Sequence, residues 1–388
     1  MAKRTWILLD VEDDQYVDEI RLTSADADGV PEGLSIVKRR LRGGRRDGVD
    51  VVEVDNGAFR FVVIPTRGMG LWRASLGDVQ LGWRSPVAGP VHPSLVNLQQ
   101  ADGLGWLTGF DELVARTGLL SNGAPVFNPN GTLRYNLHGR IQNIPASKVE
   151  VSIDDATGEI TVSGTVDEGW IYGHKLRLHT IYSTLPGEPG VRIVDTVTNL
   201  SDEPGQMQLL YHVNLGLPLV DPGSKLVAPT AKVAPRAAGE WETVATWDTY
   251  HPETTGAGGV CFFTTMHAGA DGWTQTLLHN AAATRGLSVK YNATQLPCFT
   301  LWKNAQTAAD GYVTGLEPAT NYPNERPFEE AKGRVVLMAP GESRSFELAI
   351  EAHGDANAVA AAKQAVAKLQ GKHKTEVLTE PDPNWSMV

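Results

Sequence analysis

The sequence predicts an all-β protein, a large antiparallel β-sandwich, on three observations. From about residue 50 to 350, short apolar or alternating runs follow one another, separated by Gly, Pro, Asn and Asp, which is how strands and turns read. The chain carries 40 Gly and 23 Pro to make those turns, as large sandwiches and barrels require. Helical periodicity is confined to two segments. At 388 residues, with 41% hydrophobic and 20% charged residues, the chain has the apolar content for a large buried core, which sets it apart from disordered and fibrous proteins.

In chain order, residues 1–49 are expected to form an N-terminal extension that adds edge strands to a main domain over 50–350. Its basic cluster, Lys38, Arg39, Arg40, Arg42, Arg45 and Arg46, is broken by Gly43 and Gly44; it reads as a solvated turn between strands, with a local anion patch as the alternative. Strands are predicted over 57–64, 148–153, 159–166, 175–182, 191–197, 258–264, 287–291, 298–302, 334–338 and 345–350. Leu107, Phe110, Leu113 and Val114 recur at helical spacing, so 106–116 is predicted to be a short helix. A C-terminal helix over 356–369 would bury Val359, Ala362, Val366 and Leu369 on one face, with Asp355 as its N-cap. The polar, Pro-containing tail 371–388 completes a third region, 351–388, and is expected as an extended arm or partly disordered. The text holds neither an internal repeat nor a linker composition, so one domain is expected.

The formal net charge of −11 and a pI near 5.4 argue against a nucleic-acid partner. The apolar run Trp6-Ile7-Leu8-Leu9 is too short for a signal sequence, and no stretch approaches the roughly 20 apolar residues that span a bilayer. No membrane partner is therefore expected. Cys261 and Cys298 sit in apolar, strand-like settings that suit buried free thiols, consistent with a cytoplasmic location. An oligomeric state stays open.

Three separated segments carry candidate chemistry. His138 precedes Gly139, whose missing side chain permits close approach. His212 and Asn214 share one face of a predicted strand by period-two alternation. Glu317 lies between a strand and a Pro-rich turn. Two imidazoles and a carboxylate can give and take protons near neutrality, and the same three groups could hold a divalent metal, although no H-x-x-H spacing favours that. Taken singly, each histidine more often is a hydrogen-bonded structural residue. Trp72, Trp83, Trp106 and Trp302 lie near these segments and could cover a sugar face, or simply pack. The residues alone leave these alternatives open.

The ordered set of Arg67 in Pro65-Thr66-Arg67-Gly68-Met69-Gly70, His138 in Leu137-His138-Gly139, His212 followed by Asn214, and Glu317 in Gly315-Leu316-Glu317-Pro318 resembles the aldose 1-epimerase family of the galactose mutarotase-like superfamily. The resemblance spans about residues 50–350. The stretches 109–113 and 118–125 place it on a divergent branch. It implies a β-supersandwich with a carbohydrate substrate in a cleft on one concave sheet. It further implies Glu317 as general base on the anomeric hydroxyl, His212 as general acid on the ring oxygen, and Arg67, His138 and Asn214 as substrate-binding groups. That chemistry requires no metal and no organic cofactor. The aspartate that such enzymes place between the acid and the base has only Asp248 in suitable order here, without the surrounding motif, and stays unassigned. Asp111 and Arg116 could supply replacement contacts to sugar hydroxyls, or form a salt bridge on the surface of the predicted helix. The function expected is thus an aldose 1-epimerase-like isomerase acting on a hexose or related sugar. The alternatives are a metal-assisted isomerase or lyase on a modified sugar, and a non-catalytic carbohydrate-binding protein.

Overall fold

The computed structural model describes residues 3–25, 30 and 32–387. Two large sheets dominate it, one of ten strands and one of fourteen, joined almost throughout by antiparallel pairing. Period-two alternation decides which faces meet. In Lys175–Thr184 every second residue from Leu176 to Thr184 is buried, while the residues between them are half-buried or exposed. Phe61, Tyr182, Ile193, Tyr211 and Leu348 belong to the continuous apolar core. The predicted strands are present with modest changes of boundary, as in Phe59–Ile64, Lys148–Asp154, Gly190–Asn199 and Cys298–Asn304.

Residues before 50 contribute to both sheets. Lys3–Asp10 pairs with Lys148–Asp154, and Ser35–Arg40 pairs with Asp50–Asp55. Two members of the basic cluster share one carboxylate within the fold: Lys38 is buried beside Asp50 at 3.5 Å, and Arg40 lies 3.3 Å from it. The turn Gly44–Arg46 follows, and Arg45 donates to the carbonyl of Thr108 at 2.9 Å.

The C-terminal helix Ala356–Gln370 forms as predicted, with Asp355 Oδ1 accepting from the Ala358 amide at 2.9 Å. Val359, Ala362 and Val366 pack against Leu277 in a small cluster separate from the main core. The tail is docked along the sheet instead of standing off as a free arm. Glu376–Val377 adds a short parallel strand beside Lys232 and Val233. Lys232 holds Asp382 at 2.7 Å, and Asn324 donates to the carbonyl of Trp385 at 2.7 Å. At their outer limits both sheets end in strands of two or three residues: Gln15–Tyr16, Lys225–Val227, Ile20–Leu22 and Glu376–Val377.

The helix predicted over 106–116 does not form. A 3-10 turn covers Gly105–Gly109, Phe110 is extended, and Val114–Leu119 is a strand. A side chain at position 105 would strike the Asn97 carbonyl at 1.8 Å, so this turn exists only because Gly fits. Beyond it, pairing of Val114–Leu119 with Gly205–Gly216 outweighs local periodicity.

Most strands bury one face, but three neighbours in the middle of the fourteen-stranded sheet are buried along nearly their whole length: Val114–Leu119, Gly205–Gly216 and Val313–Ala319. One face meets the core, and loops cover the other. The acid–base candidates stand on that covered face.

Candidate active site

Alternation along Gly205–Gly216 sends Tyr211, Val213 and Leu215 into the core and leaves His212 and Asn214 on the covered face. On the adjoining strand Val313–Ala319, Leu316 is a core residue, and Gly315 and Glu317 face the other way. His212 Nε2 and Glu317 Oε1 come within 3.1 Å, although 105 residues separate them in sequence. Oε1 is buried and is not aligned for a hydrogen bond with any protein group. Gly315 clears the space between them: a Cβ there would lie 2.4 Å from Glu317 Oε1 and 2.8 Å from His212 Cε1.

Asn214 fixes the histidine. Its Nδ2 donates to the carbonyls of Glu112 and His212, both at 2.9 Å, which leaves Oδ1 to accept from His212 Nδ1–H at 2.5 Å. That tautomer directs the Nε2 lone pair at Glu317. The residue is wholly buried and its amide is engaged by protein groups, so what Asn214 does in this structure is hold His212.

Burial sets the protonation of this pair. Desolvation drives the His212 imidazole down to about 3 and raises Glu317 well above the ordinary carboxylate range. The form favoured in the dry site is neutral imidazole facing protonated carboxyl, with one proton held between two groups.

Aromatic rings wall the pair. Phe110 and Trp302 stand edge-on to the His212 ring at 5.1 and 5.5 Å, and Trp106 lies 6.0 Å away. Phe110 also packs on Trp83 and Trp106 at 4.9 and 4.6 Å. Trp106 is buried, yet its Nε1–H has no acceptor, a donor left for something other than the protein. Trp72 belongs elsewhere, in a satellite cluster with Leu41, Val49, Val51 and Ile64.

His138 joins the group from a turn on the loop side. Its ring is 5.5 Å from that of His212 and 4.6 Å from Trp106, and its Nδ1 bonds the Asn122 carbonyl at 2.8 Å. Burial is the main reason its imidazole is held down to about 4, and the charge of Arg236 adds to the effect. Gly139 lets the turn close, since a Cβ there would meet the carbonyls of Ser121 and Gly118 at 2.0 and 2.3 Å. Arg236 is exposed just after the strand Thr230–Pro235, with its amide on the Cys261 carbonyl. Nothing in its local sequence marked it as a neighbour of His138. Cys261 and Cys298 are free thiols, and burial pushes both up to about 12, so neither is a ready nucleophile.

Three residues expected at the substrate stand elsewhere. Arg67 is fully buried and spends its guanidinium on Glu112 at 2.5 Å, the Val91 and Gly109 carbonyls at 3.0 and 2.8 Å, and Asn143 at 2.9 Å. It braces the loop that carries Trp106 and Phe110. Arg116 projects between the sheets to a buried ion pair with Asp195, and also bonds Tyr182, Thr180 and the Met69 carbonyl. Strand alternation puts it on the opposite face from Ala115, which packs with Trp106 and Phe110. Asp111 turns away from Phe110 and accepts from Trp72 Nε1 at 2.7 Å; burial and neighbouring Glu112 raise it to about 7. Among the described residues, no group of three or more His, Cys, Asp or Glu is placed to hold a metal ion.

The fold is that of the galactose mutarotase-like β-sandwich proteins. The chain belongs to the family described as a domain of unknown function, DUF4432, whose model matches residues 46–352. The solved structure of a Klebsiella pneumoniae protein, provisionally described as an aldose 1-epimerase, is 33% identical; the match covers 98% of this chain and 99% of that one, with a TM-score of 0.93. A galactose mutarotase-like protein from Clostridium acetobutylicum is 15% identical over 79% of this chain and 96% of its own, with a TM-score of 0.54. A galactose mutarotase related enzyme from Lactobacillus acidophilus is 12% identical over 79% and 98%, also at 0.54. These last two share the fold alone. No curated protein matches the chain. No helix of the described residues is long and apolar enough to cross a membrane.

Proposed function

We propose that the protein is an aldose 1-epimerase-like isomerase that interconverts the anomers of a hexose or related sugar, working in the cytoplasm, where its two free thiols would persist. The observation that carries this reading is the His212–Glu317 pair: two buried groups 3.1 Å apart that hold one proton, beside aromatic walls. The Klebsiella pneumoniae relative, similar over nearly the whole chain, adds support.

In the reaction, the shared proton first passes from the Glu317 carboxyl to His212 Nε2 across their 3.1 Å contact. Glu317 then removes the proton from the anomeric hydroxyl while the C1–O5 bond breaks and O5 takes the Nε2 proton from His212. The open-chain aldehyde forms, and rotation about C1–C2 presents its other face. Reclosure returns each proton. The pair has the same proton count at every stage, so the chemistry only relocates one proton across it. Asn214 holds the imidazole in register, and His138 and Trp106 Nε1–H are positioned to bind sugar hydroxyls. A binding protein would gain nothing from burying a carboxyl against an imidazole, because such burial is costly.

The test is anomer exchange followed by NMR on a panel of pure sugars. Glu317→Gln and His212→Asn should each lower turnover at least 10²-fold with sugar binding retained. The double variant should be little worse than either single one, as for groups acting as a unit. Near-normal turnover in Glu317→Gln would overturn the proposal.

A further inference from the structure

The turn that carries His138 has a second side. While His138 points to His212, its neighbours Asn136, Gly139 and Arg140 line a separate cavity of about 430 Å³, within the range of small-molecule sites. Trp170, just past the strand Ile160–Gly169, is 47% exposed at its wall. Trp is enriched at binding surfaces, where one part of the ring is covered and the other stays wet.

The charges in this cavity are unbalanced. Arg140 lies over the Trp170 ring at 5.8 Å and Arg134 over Tyr135 at 5.0 Å. Both arginines are exposed lining residues, and among the described residues neither forms an ion pair with a carboxylate. The carboxylate in the lining, Glu168, is already committed. It is buried, accepts from the amides of Leu119 and Leu120 at 2.9 and 3.2 Å, and meets His174 Nε2 at 2.9 Å. In a chain of net charge −11, two unpaired guanidinium groups at one cavity are a local reversal of sign. Guanidinium presents paired donors in the geometry that carboxylate and phosphate accept. Ser121, in the same lining, has a buried hydroxyl without a partner.

We propose that this cavity is a second carbohydrate site, which takes a sugar unit bearing a carboxylate or phosphate group. The sugar ring lies against Trp170, and the anionic group faces Arg134 and Arg140. The site is separate from the acid–base pair and does not depend on what that pair does.

Calorimetric titration of the full chain with D-glucuronate, glucose 6-phosphate, glucose and inorganic phosphate tests this, with Trp302→Ala as a parallel protein. At least one charged sugar should bind about tenfold or more tightly than glucose, and which of the two does so identifies the anionic group. The Arg134→Ala/Arg140→Ala variant should weaken that binding at least tenfold at unchanged Tm, while Trp302→Ala, which opens the aromatic wall beside His212 and lies outside this cavity's lining, binds the charged sugar as the parent does. Trp170→Ala should weaken charged-sugar binding and leave any binding of inorganic phosphate unchanged. Absence of binding by both charged sugars, glucose binding as tightly as they do, or indifference to the double arginine variant would each overturn the proposal. So would loss of binding in Trp302→Ala, which would place the ligand at the acid–base pair, and so would phosphate binding as tightly as glucose 6-phosphate with no effect of Trp170→Ala.

Discussion

Gly315→Ala perturbs the acid–base pair without touching either member. The added Cβ would stand 2.4 Å from Glu317 Oε1 and 2.8 Å from His212 Cε1, where ordinary contact begins near 3.4 Å, so the carboxylate must retreat by about 1 Å. The backbone of position 315 is locked by pairing with both Asn214 and Trp302, which leaves the side chains to move. Such overpacking costs about 1–3 kcal/mol of stability, an amount a folded protein of this size withstands. A displacement of about 1 Å between reacting groups costs about 10²-fold in rate, or about 2.7 kcal/mol in the barrier. The assay is anomer exchange by NMR on the sugar that the parent turns over fastest, alongside thermal unfolding. A folded Gly315→Ala protein with turnover within a factor of three of the parent would refute the argument that the 3.1 Å approach matters.

Arg116→Met should lower unfolding free energy in urea by about 3–5 kcal/mol, because it leaves Asp195 charged and buried between the sheets; an unchanged midpoint with weakened sugar binding would restore Arg116 to the substrate. Asp111→Asn should act through pH: the parent carboxyl has its ordinary value at 3.8 when unfolded and about 7 when folded, so stability present below pH 4 is lost as pH rises through 7. The asparagine variant can still accept from Trp72 and has no such loss. Its Tm relative to the parent should therefore climb between pH 4 and 8, with the linkage bounded at about 4 kcal/mol; a flat difference would show that Asp111 is not held protonated.

The strands were legible because alternation is a local signal, and the C-terminal helix because Val359, Ala362 and Val366 mark one face behind an Asp355 cap. His138, His212 and Glu317 were selected by resemblance, and the structure brings them together; spacing could not have done so across 74 and 105 residues. The arginines were harder. Whether Arg116 looks into the cleft or the core depends on one residue of register in a strand that reads locally as a helix, and its partner Asp195 is 79 residues away. Arg67 stood in the expected motif, but its bonds to Val91, Gly109 and Glu112 are visible only once the loop is folded over it. Docking of the tail likewise rests on Lys232 meeting Asp382 across 150 residues, a pairing that composition cannot announce.

The short strands that end both sheets also bear on how this protein behaves at high concentration. An open sheet margin offers unpaired amides and carbonyls to any passing extended chain, and long margins of that kind seed aggregation. Here the terminal strands are two or three residues long, and each covers only part of the strand beside it. The six-residue strand Thr230–Pro235, which would otherwise lie open, is partly sealed by Glu376–Val377. Removing residues 376–387 would uncover Lys232 and Val233 as well, and the shortened protein should self-associate through that strand more readily than the parent does.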